Sequence, residues 1–146
     1  RRSVVIVLNK FKQKLSDMSK NGVTIPVKPI MLEQLIKRQT EQKDIKVEIT
    51  STKIVIKGTV GDVSYKIKLK PAQMEKRMIV FEIESIQPID VNRDDMIIFR
   101  NPPFSGYTKE TVKMDFNSWD IVKKVPVGKI KTYEMNDGVI NLTISL

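Results

Sequence analysis

The chain has 146 residues, of which 40% are apolar and 29% are charged, and this length is enough for one domain with a substantial core. It contains no cysteine and no histidine, which excludes disulfides, thiol nucleophiles, Cys/His zinc sites and a Ser–His catalytic pair. The net charge is +9, and residues 1–44 carry most of it, with ten Lys/Arg against four Asp/Glu. Such a basic balance suits anionic partners, either nucleic acid or acidic lipid headgroups, although it also keeps a protein in solution.

The start of the chain has apolar residues at alternating spacings of four and three, which predict a long amphipathic helix ended by Asn21-Gly22. The stripe consists of Val4, Leu8, Phe11, Leu15 and Met18. An extended segment follows over residues 23–27, where Pro26 fits only an edge strand or a strand end. Pro29 then begins a second helix that runs to about Gln42.

From Ile45 onward the apolar period changes to two, which is typical of β-strands. Strands are predicted over residues 45–49, 54–60, 63–69 and 79–83. Short turns are expected at Ser51-Thr52 and Gly61-Asp62, and residues 71–77 are expected to form a loop. Four strands at this close spacing predict an antiparallel meander with one buried face and one solvent-exposed face.

The last third of the sequence predicts smaller elements. Residues 96–99 suit a strand or a short buried turn, residues 111–116 an extended segment, and residues 117–124 a short helix. The chain ends in a hairpin over residues 127–144, because the Asn and Gly of Asn136-Asp137-Gly138 suit the positive φ positions of a tight turn. We therefore expect one α+β domain spanning residues 1–146, with a curved antiparallel sheet (meander plus C-terminal hairpin) wrapped around a long N-terminal helix.

Few groups in the sequence suit catalysis. Glu82 and Glu84 share one strand face about 6.7 Å apart, a spacing at which two carboxylates can act as acid and base. We favour cross-strand ion pairs with Lys66, Lys68 or Lys70 instead. Residues 90–95 begin like a calcium loop but lack its glycine and its final glutamate. No enzyme activity, metal site or cofactor is expected.

The solvent-exposed face of the predicted meander is rich in lysine, and after the net charge this is the second feature that suggests an anionic partner. Its members are Lys46, Lys53, Lys57, Lys66, Lys68 and Lys70. Proteins that read single-stranded nucleic acid usually place aromatic residues among such charges. Here Tyr65 and Phe81 have the parity of the buried face, so nucleic acid binding is less favoured than an ordinary solvated face.

Three stretches of the sequence carry a resemblance. They are the Val-x-Ile-Pro segment leading into a short helix (residues 23–36), the hairpin pattern of residues 45–69 centred on residues 56–60, and the ending from Val125-Pro126 through residues 136–138. Together they resemble the bacterial LmeA-like and YpmS-like proteins, extracytoplasmic relatives of the tubular lipid-binding (TULIP-like) modules. The resemblance implies a strongly curved sheet wrapped around a helix, an apolar groove for acyl chains and a place at the cell envelope. Membrane-anchored members have an N-terminal anchor; we expect such a segment to have been trimmed before Arg1-Arg2, with a cytoplasmic protein as the alternative.

The functional hypothesis is therefore noncatalytic binding of a lipid or another elongated apolar ligand in a groove between the first helix and the curled sheet. The candidate lining residues are Leu8, Phe11 and Leu15 on one wall, with Leu32, Ile36, Phe104 and Trp119 for the rest and the rim. Core residues and pocket residues are of the same types, so each of these can equally be core. The alternative is a basic module that binds nucleic acid or another anionic polymer, and a carboxylate enzyme ranks last. The oligomeric state is not predicted.

Overall fold

A computed structural model describes residues 22–40, 42, 44–60, 62–87 and 97–146. Over these ranges the chain forms two α-helices, α1 (Pro29–Thr40) and α2 (Asp120–Lys123), two short 3-10 turns and nine antiparallel strands. The strands are β1 (Val23–Val27), β2 (Lys46–Ile49), β3 (Ile54–Val60), β4 (Val63–Glu75), β5 (Met78–Gln87), β6 (Phe104–Ser105), β7 (Thr111–Asp115), β8 (Lys129–Asn136) and β9 (Val139–Ser145). The α+β class is confirmed in outline. The predicted long N-terminal helix, and with it Leu8, Phe11 and Leu15, lies outside the described residues.

The larger sheet has six strands in the order β2-β3-β4-β5-β7-β6 and is curled like half of a barrel. Its first four strands follow one another along the chain, so the predicted meander is confirmed. The period of two explains which face is buried: Ile54, Ile56, Ile67 and Phe81 are fully enclosed, while the lysines between them point outward.

One boundary within the meander was predicted wrongly. The expected loop over residues 71–77 is mostly strand, because β4 continues to Glu75 and turns at Lys76-Arg77. β3 pairs with β4 only as far as Leu69, so the following residues bond to β5 alone. Pro71 lacks an N–H and is tolerated on an edge of this kind, and a register shift follows it before Gln73.

The smaller sheet has three strands in the order β1-β9-β8. β1 pairs with β9 from Val23 opposite Ile144 to Val27 opposite Ile140, so Pro26 lies on an edge strand as predicted. The C-terminal hairpin is also confirmed, with Gly138 at φ 84° in its turn.

Two backbone hydrogen bonds connect the two sheets at separate places. The Ile130 N–H donates to the Lys76 carbonyl at 2.8 Å, and the Gly138 N–H donates to the Ile49 carbonyl at 2.8 Å. The apolar faces of both sheets contribute to one contiguous core cluster.

Helix α1 covers part of this core with Leu32, Leu35 and Ile36, which are buried on one side of the helix. The helix is fixed against the large sheet by the Glu33 carboxylate, which accepts a hydrogen bond of 2.8 Å from the Val47 N–H. Its predicted start and approximate end are confirmed.

The stretch of the chain between β5 and β8 contains short turns. Residues 97–100 form a 3-10 turn in which Ile98 and Phe99 are buried, and a short buried turn was one of the two alternatives expected there. The predicted helix over residues 117–124 is split into a 3-10 turn (Phe116–Ser118) and α2. The Asp115 carboxylate caps the first of these by accepting from the Asn117 N–H at 2.9 Å.

Candidate functional site

Four of the seven predicted lining residues lie within the described part of the chain, and all four are buried in the same core cluster. Leu32 and Ile36 are completely enclosed, Phe104 is 4% exposed and Trp119 is 8% exposed. Phe104 packs edge-on against Phe99, with ring centres 5.2 Å apart. These four side chains therefore contribute apolar packing in the structure.

Trp119 connects helix α1 to the segment that leads into α2. Its indole N–H donates to the Met31 carbonyl at 3.1 Å, and its ring lies 5.7 Å from that of Phe116. Because α1 has just begun at Pro29, this carbonyl lies in the first turn of the helix. The contact therefore holds the residue before α2 against the first turn of α1.

An apolar cleft of about 330 Å³ lies between β1 and the α2 segment. It is lined by Val23, Thr24, Ile25 and Pro26 from the strand and by Ile121, Lys124, Val125 and Pro126 from the other side. Ile121 is 51% exposed, although its neighbour Val122 is completely buried. The sequence did not indicate this cleft, because its two walls are almost one hundred residues apart.

A second feature is the junction formed by Arg77 at the turn after β4. Its guanidinium donates to the carbonyls of Gly128 at 3.0 Å, Val122 at 3.1 Å and Val125 at 2.8 Å. It also donates to the Asn117 amide oxygen at 3.2 Å. A cation is favourable here because the carbonyls at the end of a helix carry partial negative charge. Arg77 therefore holds the α2 segment against the large sheet.

The opposite end of β4 contains Tyr65, which is 3% exposed. Its hydroxyl donates to the Gln42 side-chain oxygen at 2.9 Å. Gly58 lies directly opposite on β3, and a Cβ there would lie 2.5 Å from the tyrosine oxygen. Burial, with a further contribution from the negative charge of Asp44, raises the pKa of the Tyr65 hydroxyl above its usual value.

Beside this tyrosine, an open cleft of about 560 Å³ lies at the end of the β3–β4 hairpin. Its lining residues are Asp44, Lys57, Gly58, Thr59, Ser64, Tyr65, Lys66 and Gln87. The Thr59 hydroxyl donates to the Asp44 carboxylate. Two lysines, three hydroxyls, an amide and one carboxylate thus share one surface depression.

The two glutamates considered for acid and base chemistry lie on the open face of the sheet. Both are exposed, and Glu84 pairs with the Lys53 ammonium at 3.2 Å. Glu82 lies opposite Lys70 in the register of β4 and β5. The ion pair of Glu84 is therefore formed with Lys53, the residue before β3, rather than with the expected lysines of β4, because the register shift after Lys68 leaves Glu84 without a direct partner there.

Among the described residues, no group of three or more Asp or Glu side chains is close enough to hold a metal ion. No helix in the described ranges is both long and apolar enough to cross a membrane. No protein-family model, curated protein or solved structure matches the chain.

Proposed function

We propose that this protein is a noncatalytic lipid-binding domain that takes part of an acyl chain into the cleft between β1 and α2, at an anionic membrane surface of the cell envelope. The observation that carries the proposal is Ile121, which is 51% exposed at the edge of an apolar cleft that also contains Lys124. Exposed large apolar side chains next to lysines are typical of proteins that lie in a membrane interface.

The walls of this cleft suit an apolar ligand. Pro26 and Pro126 face it from the two sides, and neither residue has a backbone N–H that would need a hydrogen-bond partner. The volume of about 330 Å³ is near the lower end of the range of about 300–1,000 Å³ that ligand pockets have. This volume supports a ligand of the size of one chain segment rather than a whole lipid.

The charges around the cleft favour an anionic headgroup. Lys124 lines the cleft, Lys123 is exposed beside it, and Lys28 is exposed just after β1. Asp120 is the one acidic residue of α2. Lysines near a membrane surface each contribute about 1 kcal/mol of attraction to anionic lipid.

This location differs from the groove predicted between the first helix and the curled sheet. Leu32 and Ile36 are fully enclosed, whereas Ile121 and Val127 are half-exposed on the outside of the molecule. The exposed pair therefore supports contact with a bilayer, and the proposal rests on the β1–α2 cleft rather than on the core.

The test uses Trp119, the one tryptophan of the chain, which lies two residues before Ile121. The protein is mixed with phosphatidylcholine vesicles with or without phosphatidylglycerol, whose acyl chains carry bromine atoms that quench tryptophan fluorescence. We expect quenching with the anionic vesicles, and we expect Ile121→Asp to abolish it. Val63→Asp is the matched control, since Val63 is 47% exposed at the start of β4, in the other sheet.

Two outcomes would overturn the proposal. One is the absence of quenching in the unaltered protein, and the other is an equal loss in both variants. Binding of a single-stranded oligonucleotide that weakens steeply with salt and is unaffected by Ile121→Asp would instead support the basic-module alternative.

A further inference from the structure

The outer face of the large sheet contains three lysines in one row across neighbouring strands. Lys46 on β2 is opposite Lys57 on β3, and Lys57 is opposite Lys66 on β4. Side chains opposite each other on antiparallel strands have Cβ atoms about 4.5–5.5 Å apart, and like charges in such pairs are destabilising. The three ammonium groups therefore repel one another at this place on the sheet.

The described part of the chain does little to neutralise this row. Lys57 has Glu48 as a partner, but at 4.0 Å and with both side chains at least half exposed. Within the same ranges, no acidic group lies within ion-pair distance of Lys46 or Lys66. Other lysines on the large sheet are paired more closely, as with Lys53 and Glu84 at 3.2 Å and Lys113 and Glu75 at 3.1 Å.

The row borders the open cleft beside Tyr65, to which Lys57 and Lys66 both contribute. Thr59 and Ser64 are opposite each other, two positions from these lysines along β3 and β4, and they add two hydroxyl groups. Gln87 adds an amide. Ammonium, hydroxyl and amide donors converging on one depression are the groups that hold a phosphate, and charge-assisted bonds are the strongest of them.

Asp44 makes the site selective. Its carboxylate already accepts the Thr59 hydroxyl, and an ionised carboxylate has further acceptor positions. It repels a phosphate group placed against it, and it accepts a hydroxyl from a ligand whose hydroxyl is separate from its phosphate. A hydroxylated phosphate ester suits this arrangement, because its phosphate can bind the lysines while its hydroxyl donates to Asp44.

We propose that the cleft at the end of the β3–β4 hairpin is an anion site for a small hydroxylated phosphate ester, held by Lys57 and Lys66. The ester is either a free metabolite or the headgroup of a glycerophospholipid. This site uses none of the residues of the β1–α2 cleft, so it stands or fails independently of the lipid-binding proposal.

The test is a calorimetric or NMR titration at low ionic strength with sn-glycerol 3-phosphate and, separately, inorganic phosphate. The unaltered protein should bind glycerol phosphate more tightly than phosphate. The double variant Lys57→Gln/Lys66→Gln should lose about tenfold or more of this affinity, because two charge-assisted contacts are removed. It should remain folded, since it relieves repulsion within the sheet.

The matched control is Lys53→Gln/Lys113→Gln, which lowers the net charge equally but removes lysines that are already paired. Its affinity should stay within about twofold of the unaltered protein, as exposed ion pairs contribute little. Asp44→Asn should reduce the preference for glycerol phosphate over phosphate. Vesicles of phosphatidylcholine with phosphatidylglycerol then distinguish the two sources: binding that depends on Lys57 and Lys66 identifies the headgroup, and binding of the soluble ester alone identifies a metabolite.

The proposal is wrong if neither phosphate compound binds, if the control variant loses as much affinity as the double variant, or if the folded double variant binds like the unaltered protein. Each of these results leaves the outcome of the tryptophan-quenching experiment unaffected.

Discussion

The positively charged side chains at the two ends of β4 differ in whether the fold supplies their hydrogen-bond partners. At one end Arg77 donates to three carbonyls and an amide oxygen, and its role is to hold the α2 segment against the large sheet. At the other end Lys57 and Lys66 lie side by side beside an open cleft. Cations whose donors are satisfied within the fold stabilise it, whereas adjacent cations without close partners are available to a ligand. β4 therefore has a structural end, at the turn that contains Arg77, and a candidate binding end, beside the cleft that Lys66 lines.

The largest expected effect comes from the structural end. Arg77→Ala removes one donor from each of the carbonyls of Val122, Val125 and Gly128, and we expect a loss of about 3 kcal/mol in the free energy of unfolding. Arg77→Lys should recover only part of this, because an ammonium cannot reproduce the planar fork of the guanidinium. Urea denaturation of the three proteins measures both differences.

A control for this change lies in the same turn. Lys76 has φ 57°, a left-handed conformation that costs a non-glycine residue about 1–2 kcal/mol. Lys76→Gly should therefore leave stability unchanged or raise it. A loss in Lys76→Gly as large as that in Arg77→Ala would mean that the turn itself, and not the guanidinium, is responsible.

An intermediate effect is expected from the packing of the binding end. In Gly58→Ala the new methyl group would lie 2.5 Å from the Tyr65 oxygen and 2.9 Å from the Ile45 Cδ1 atom. Overpacking of this kind costs about 1–3 kcal/mol. A double-mutant cycle with Tyr65→Val, followed by thermal or urea unfolding, should show that the two changes are not additive. Strict additivity would exclude the proposed clash.

The smallest effect concerns the Tyr65 hydroxyl. Tyr65→Phe removes its hydrogen bond to Gln42 and should cost about 1 kcal/mol near neutral pH. Burial raises the pKa of this hydroxyl, so above about pH 10 the unfolded chain releases a proton that the folded protein keeps. The unaltered protein should then lose up to about 1.4 kcal/mol per pH unit from this group, and the phenylalanine variant should not.

Unfolding curves for both proteins from neutral pH to about pH 11 measure this difference. The advantage of the unaltered protein should shrink as the pH rises through that range. An advantage that grows with pH would mean that the folded protein favours the ionised tyrosine, contrary to its burial.

Local patterns in the sequence were enough to predict most of the strands. The period of two between Ile45 and Ile83 and the turn at Asn136-Asp137-Gly138 depend on near neighbours, and the structure confirms both. The extension of β4 through Pro71 was missed, since it depends on where β3 stops pairing. That endpoint is set by the tertiary arrangement, which a local pattern does not contain.

The candidate sites were harder to predict for the same reason. The lysines of the outer face were evident from their alternation, but the row of Lys46, Lys57 and Lys66 needs the register of three strands. Ile121 became noticeable only when β1 was found beside α2. Phe104 and Trp119 are candidates for the rim of the groove in the sequence, but the structure buries both of them in the core.

The pairing of β1 with β9 has a consequence for the order in which the protein forms during translation. Thr24 and Thr143 face each other across 119 positions of sequence. At synthesis rates of about 5–20 residues per second, β1 waits roughly 6 to 24 seconds for its partner strand. The meander β2–β5, whose partners are close in sequence, can form during that interval. The small sheet is thus completed last, and until then an apolar strand edge is open to association with other nascent chains.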